Sequence, residues 1–216
     1  MRYPHPYSGR LLSTLLAFTL LPHLSAISIW INEIHYDNAD GDTGEFVEIA
    51  GIAGTDLANY SLTLYNGSTG ATYGSIALSG LLLNQSNGFG ALAFFKSGIQ
   101  NGNPDGLFLS GPSASLFMSY GGIFAATNGP ASGLTSTDIG VQEGSSTQIG
   151  YSLQITGTGS TYADFTWSSP SQKTDGAINN GQTLIAESIP EGVSTIGLLG
   201  LGLCSLLMLK SRLETK

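Results

Sequence analysis

The chain has 216 residues, of which 30 are glycine and only 22 are charged, seven basic and 15 acidic. Glycine is at about twice its usual share and charge at less than half of it. Residues 27–188 carry 13 acidic side chains against Lys96 and Lys173, a formal charge of −11; such a surface repels phosphate backbones and argues against nucleic acid as a partner. The one cysteine, Cys204, lies in a C-terminal apolar run, so the segment before it has no disulfide, no thiolate nucleophile and no cysteine-based zinc site.

In chain order, residues 1–28 read as a secretory signal peptide. Arg2 and Arg10 supply the positive start, Leu11 to Leu21 the apolar stretch, and Ala26-Ile27-Ser28 a small-x-small cleavage box. Residues 29–188 then form one domain. About 160 residues suffice for one core and fall short of two. No helix-period apolar stripe of useful length occurs here; alternation with period two does. Tyr60, Leu62 and Leu64 share one face with Ser61 and Thr63 on the other. Tyr151, Leu153 and Ile155 form a second such face, and Ala163, Phe165 and Trp167 a third. Further strands are expected at 29–36, 45–50, 72–78, 89–95, 106–109, 115–120 and 182–186. They are separated by turn signals such as Asn66-Gly67, Asn87-Gly88 and Asn180-Gly181. Many short strands with glycine-rich turns predict an all-β antiparallel sandwich, with Leu62, Leu64, Leu153, Phe165 and Trp167 inward. The polar, small-residue stretch Gly121 to Thr147 reads as a long Gly/Ser-rich surface insertion with little regular structure.

Three pieces carry a resemblance: Ile31-Asn32-Glu33-Ile34, Glu45-Phe46-Val47-Glu48-Ile49, and Leu57 leading to Tyr60-Ser61-Leu62. Together they resemble the lamin-tail-type domain of secreted bacterial proteins. The resemblance covers about residues 31 to 110 and implies an immunoglobulin-like β-sandwich that serves attachment or targeting rather than a reaction.

The densest group of reactive side chains is Asp37, Asn38, Asp40, Asp42 and Glu45, with Glu33 and Glu48 nearby. Hard oxygen ligands in a glycine-containing loop suit calcium, and Asp37, Asp40, Asp42 and Glu45 are the candidate ligands. The spacing is not that of an EF-hand, and an exposed acidic turn explains the same residues. Carboxylate pairs drawn from this set are also what a hydrolase would use. His35 is the sole histidine between residues 24 and 216, no G-x-S-x-G elbow or H-E-x-x-H occurs, and arginine is absent from 11 to 211. These gaps argue against a serine triad, a three-histidine zinc centre and a bidentate phosphate clamp. His35 itself reads as an ordinary strand residue. Tyr36, Tyr65, Tyr73, Tyr120 and Trp167 are a candidate sugar-stacking platform, with core packing as the alternative for Trp167.

The chain closes with Val193 to Leu209, free of charge, then Lys210, Arg212 and Lys216. Seventeen residues at ~1.5 Å each span about 25 Å, enough for a single membrane helix whose basic tail stays cytoplasmic. Ile189-Pro190-Glu191-Gly192, the Gly/Leu-rich span and the basic tail resemble the PEP-type C-terminal sorting signal of Gram-negative bacteria, with Gly192 where the second proline is usual. That resemblance implies recognition of Pro190 and Glu191 by an exosortase-like enzyme, and a product exported to the cell surface or its exopolysaccharide. The expected protein is a surface-anchored, non-catalytic module without a resident cofactor, calcium apart. A carboxylate-based secreted hydrolase and a calcium-dependent adhesion module are the alternatives.

Overall fold

A computed structural model of the chain describes residues 28–186. The signal peptide expected at 1–28 (all but Ser28), the expected sorting motif with Pro190 and Glu191, and the helix expected at 193–209 therefore lie outside the described residues. Among the described residues no helix is long and apolar enough to cross a membrane.

Two sheets make up the molecule. The strands are β1 (Ile29–His35), β2 (Phe46–Ile52), β3 (Ser61–Asn66), β4 (Ala71–Ala77), β5 (Phe89–Phe95), β6 (Asp105–Gly111), β7 (Ala114–Tyr120), β8 (Thr137–Asp138), β9 (Tyr151–Gly159), β10 (Phe165–Gln172) and β11 (Gln182–Leu184). The first sheet runs β10-β9-β1-β2-β5 with β11 also on β9, and the second runs β4-β3-β6-β7-β8. Pairing is antiparallel except for β11 on β9 and β8 on β7, so the sheets are mixed rather than purely antiparallel.

The core lies between the sheets. Ile31, Ile34, Val47, Ile49, Leu153 and Ile155 from the first meet Leu62, Leu64, Leu107, Leu109, Leu116 and Met118 from the second. Leu62, Leu64, Leu153, Phe165 and Trp167 are all buried, as the period-two pattern requires. β10 starts later than its alternation implies, because Tyr162–Asp164 form one turn of 3-10 helix whose C-terminal end is Phe165.

The stretch from Gly121 to Thr147 has little regular structure, as expected, with only the two-residue β8, but part of it packs on the sheet. Tyr65, Phe108 and Phe117 stand on the outer face of the second sheet, and Phe124, Ala126 and Ala131 pack over them as a second core. Phe117 meets both Phe108 and Phe124 edge-on, with ring centroids 5.9 and 5.3 Å apart. The covering chain is tied down by its own backbone. Ala126 donates to Leu134, Gly133 to Ala126, and Thr127 to Gly70, at 2.7–2.9 Å. Tyr65 Oη donates to the Asn128 carbonyl and accepts from Ala131 N–H. The segment is thus a packed layer, held by hydrogen bonds and three aromatic rings instead of a periodic apolar stripe.

Candidate functional site

The paired strands β1 and β2 place two carboxylates side by side. Glu33 is directly opposite Glu48, and a register shift between Ile31 and Glu33 puts Asn32 beside them. All three are fully buried. The segment 173–181, between β10 and β11, supplies most of the groups that meet these carboxylates. Thr174 N–H and Oγ1 reach Glu33 at 3.0 and 2.7 Å, and Ser152 Oγ donates to it at 2.5 Å. Gly176 N–H donates to Glu48 Oε2 at 2.6 Å, and Asn32 Nδ2 to Oε1 at 2.8 Å. Asn32 Oδ1 in turn accepts from Trp30 Nε1 and Gln182 Nε2. Asn179 Nδ2 bridges the Asn32 and Ile155 carbonyls, spanning β1 and β9 beyond their paired residues.

Among the described residues no cation pairs with these carboxylates, and Lys173 is bound to Asp175 at 2.9 Å. Desolvation is the largest influence on Glu48, and together with the nearby Glu33 charge it outweighs the donated hydrogen bonds, pushing its pKa up to about 8. Glu33 is raised for the same first reason. The arrangement stores a proton in the fold and ties β1, β2, β9 and the 173–181 strap together. Both carboxyl groups are sealed from solvent.

A second hub joins the β1–β2 loop to the covering layer. Glu143 Oε1 pairs with His35 Nδ1 at 2.9 Å, while its Oε2 accepts from Tyr36 N–H at 2.6 Å and Asp37 N–H at 3.0 Å. Glu143 N–H donates back to Tyr36 Oη at 2.7 Å. Asn38 Nδ2 lies 2.8 Å from His35 Nε2 and 2.9 Å from the Thr43 carbonyl. His35 Nε2 also lies 3.2 Å from the Thr43 carbonyl, so the protonated ring can donate Nδ1–H to Glu143 and Nε2–H to Thr43. Burial is the largest influence and lowers the His35 pKa, but Glu143, the Thr43 carbonyl and Glu45 together outweigh it and the net shift is upward. His35 is therefore no ordinary strand residue but the partner of a carboxylate 108 positions away.

The four candidate calcium ligands divide. The Asp37 and Asp42 carboxyls share a hydrogen bond, and Asp37 is pushed up to about 6 by desolvation and then by Asp42. Asp42 Oδ2 also accepts from Asn101 Nδ2. Glu45 is buried, with Oε2 accepting Gly98 N–H at 2.5 Å. Asp40 is exposed at a left-handed turn position, φ 70°. Among the described residues no group of three or more His, Cys, Asp or Glu side chains converges as a metal set.

The aromatic platform does not form. Tyr36, Tyr65, Tyr120 and Trp167 are buried, and Tyr36 stacks on Tyr120 inside the core with centroids 3.9 Å apart. A solvent-open groove of about 460 Å³ lies beside Glu143, lined by polar residues such as Gln142, Ser146 and Gln148, with Tyr151 and Pro170.

Glu143, Thr174 and Asn179 escaped the sequence reading. Glu143 had one local signal, being one of only two charges between 121 and 150. No family model, curated protein or solved structure matches the chain.

Proposed function

We propose that the chain is an exported, membrane-anchored, non-catalytic module of the immunoglobulin-like, lamin-tail kind, working at the bacterial surface or in its polysaccharide matrix. The observation that carries this reading is the fate of the carboxylates. Glu33, Glu48 and Glu143, the acids with the most developed surroundings, are all consumed in holding strands and loops together. Acid–base catalysis needs such groups within reach of a substrate atom. The Asp37–Asp42 pair is reachable, but its carboxyls touch, whereas glycosidase pairs stand about 5–9.5 Å apart. The signal peptide, the 193–209 run and the Pro190-Glu191 motif supply export, anchoring and an exosortase-like processing partner.

Fractionation tests the reading. Full-length protein should sediment with membranes, and a version ending after Ser188 should appear in the medium. Equal release of both forms would sink it.

Calcium-dependent adhesion is the second reading, favoured by one observation: the Asp37 and Asp42 carboxyls of the acidic loop lie within hydrogen-bonding reach of each other. A divalent ion would relieve their repulsion, with Asp37 and Asp42 as its first ligands.

A further inference from the structure

Both ends of the described chain leave the sandwich at the same place. Ile52 N–H donates to the Ser28 carbonyl, and Ser28 Oγ donates to Ser113 Oγ in the β6–β7 turn of the other sheet. Ile185 N–H donates to Gly159 at the end of β9, and Asn87 Nδ2 donates to the Leu184 carbonyl. The β4–β5 crossover is fastened here too, through Leu82 N–H to Thr55 and Gly54 N–H to Leu82.

This end exposes large apolar side chains, Ile52 (41%), Leu81 (50%), Leu83 (66%) and Ile185 (51%), while Phe95 and Ile149 are exposed singly toward the opposite end. Asp56 and Asp164 at this end turn their carboxyls onto backbone N–H groups of Ala58 and of Ser160 and Thr161. The acidic β1–β2 loop, with Asp37, Asp40 and Asp42, projects from the opposite end, where β1 finishes at His35 and β2 begins at Phe46.

Six residues, 187–192, separate Ala186 from the apolar run at Val193, and six, 22–27, separate Ser28 from the signal's apolar stretch. A tether of that length reaches at most about 25 Å. Whichever apolar segment sits in a bilayer, this end is drawn to its surface and the acidic end is held away.

We propose that Ile52, Leu81, Leu83 and Ile185 form a membrane-facing rim that rests in the headgroup layer of the bilayer holding the chain, fixing the domain's orientation. The proposal rests on the anchored reading. The sparse charge of the rim suits a lipid interface, where apolar side chains settle about 5–10 Å into the headgroup boundary. The strong acidity elsewhere disfavours any tilt that brings the other end down to anionic lipid.

The test uses the full chain with Cys204→Ser, carrying either Leu83→Cys or Leu81→Cys at the rim or Ser97→Cys at the far end. Each is labelled with a polarity-sensitive fluorophore and reconstituted at low density in phosphatidylcholine vesicles containing a headgroup-nitroxide lipid. Both rim labels should shift to the blue and be quenched at least about twofold more than the Ser97 label, in keeping with shallow insertion. Flotation of the same vesicles reports anchoring separately. Failure to float removes the anchored reading and this one together; flotation with equal quenching at all three positions removes this one alone. Blue-shifted rim labels that escape the nitroxide and respond to protein density would assign the rim to a second copy and overturn the proposal.

Discussion

Replacing Glu48 by Gln should change the pH dependence of folding in a way that isolates one proton. Glu48 is raised from 4.5 to about 8, with desolvation as the leading cause. The folded protein thus keeps a proton that the unfolded chain releases near its ordinary pKa. The native state binds the extra proton, so stability falls as pH rises. The loss begins above pH 4.5, is complete by about pH 8, and amounts to about 5 kcal/mol at 1.36 kcal/mol per tenfold change in the proton equilibrium. Glu33, Asp37 and His35 are shifted upward as well, so their contributions fall in the same direction as pH rises past their raised values.

Glu48→Gln keeps the shape and removes the titration. It has only one carbonyl oxygen, whereas both oxygens of Glu48 accept, from Asn32 Nδ2 and Gly176 N–H. One donor is left facing an amide NH₂, at a loss of about 1–3 kcal/mol. The variant should therefore be weaker than wild type at pH 5 and catch up or overtake it by pH 9. The residual slope in the variant belongs to the other raised groups. Urea denaturation of residues 28–186 at pH 5, 6, 7, 8 and 9 measures both curves. Wild-type stability that is flat from pH 5 to 8, or parallel curves for the two proteins, would refute a stored proton at Glu48.

Three further outcomes are expected. Phe117→Ala should destabilise the protein by about 3–5 kcal/mol in denaturant melts, because Phe117 joins Phe108 and Phe124 in the outer core; a loss under about 1 kcal/mol, the usual scale for a solvated surface side chain, would mean that the covering layer does not pack. His35 is the sole histidine of residues 28–186, so its NMR titration is readable alone. Its midpoint should lie above the ordinary histidine value in wild type and fall in Glu143→Gln, which removes the two largest raising influences; equal midpoints would dissolve the pair. Calcium should raise the melting temperature of residues 28–186 over EDTA by more than magnesium does, equivalent to about 2.7 kcal/mol at a hundredfold excess over the dissociation constant, and Asp37→Asn with Asp42→Asn should abolish the difference. The same shift in the double variant would leave the loop a solvated turn.

The strands were legible because one side of each meets the core. β5 occupies the expected 89–95, and β3, β4, β6, β7 and β9 fall within a few residues of their alternating patterns. Legibility failed where both faces are covered. Thr63 looked like a solvent position from its spacing with Ser61, yet it is buried, since it pairs with Phe108 on the face roofed by the 124–131 layer. No local period reports a roof supplied by residues 60 positions further on. The site divides the same way. Asp37 and Asp42 meet within one loop, as short spacing permits. Glu143 reaches His35 across 108 positions and Thr174 reaches Glu33 across 141. Such contacts depend on topology, which spacing does not encode.

If the C-terminal run anchors the chain, as proposed, the carboxylate layer lies on the path that carries the load. β11 is only three residues long and pairs in parallel with β9 alone, so its ladder is a weak hold on whatever follows Ala186. The chain before it is fixed far better. Thr174 and Gly176 bind Glu33 and Glu48, Asn179 bridges the β1 and β9 carbonyls, and Gln182 ends on Asn32. Tension from a C-terminal anchor would load Ile185, Leu184 and the short β11 ladder first, and these groups once that ladder gives. The buried acids then have a physical reason to be there. A neutral carboxyl and its neighbours offer many short hydrogen bonds in a small volume, at the junction where a glycine-rich strap would otherwise peel away. An apolar substitute at Glu48 would fill the space but release Asn32 and Gly176, and with them the start of the 173–181 strap.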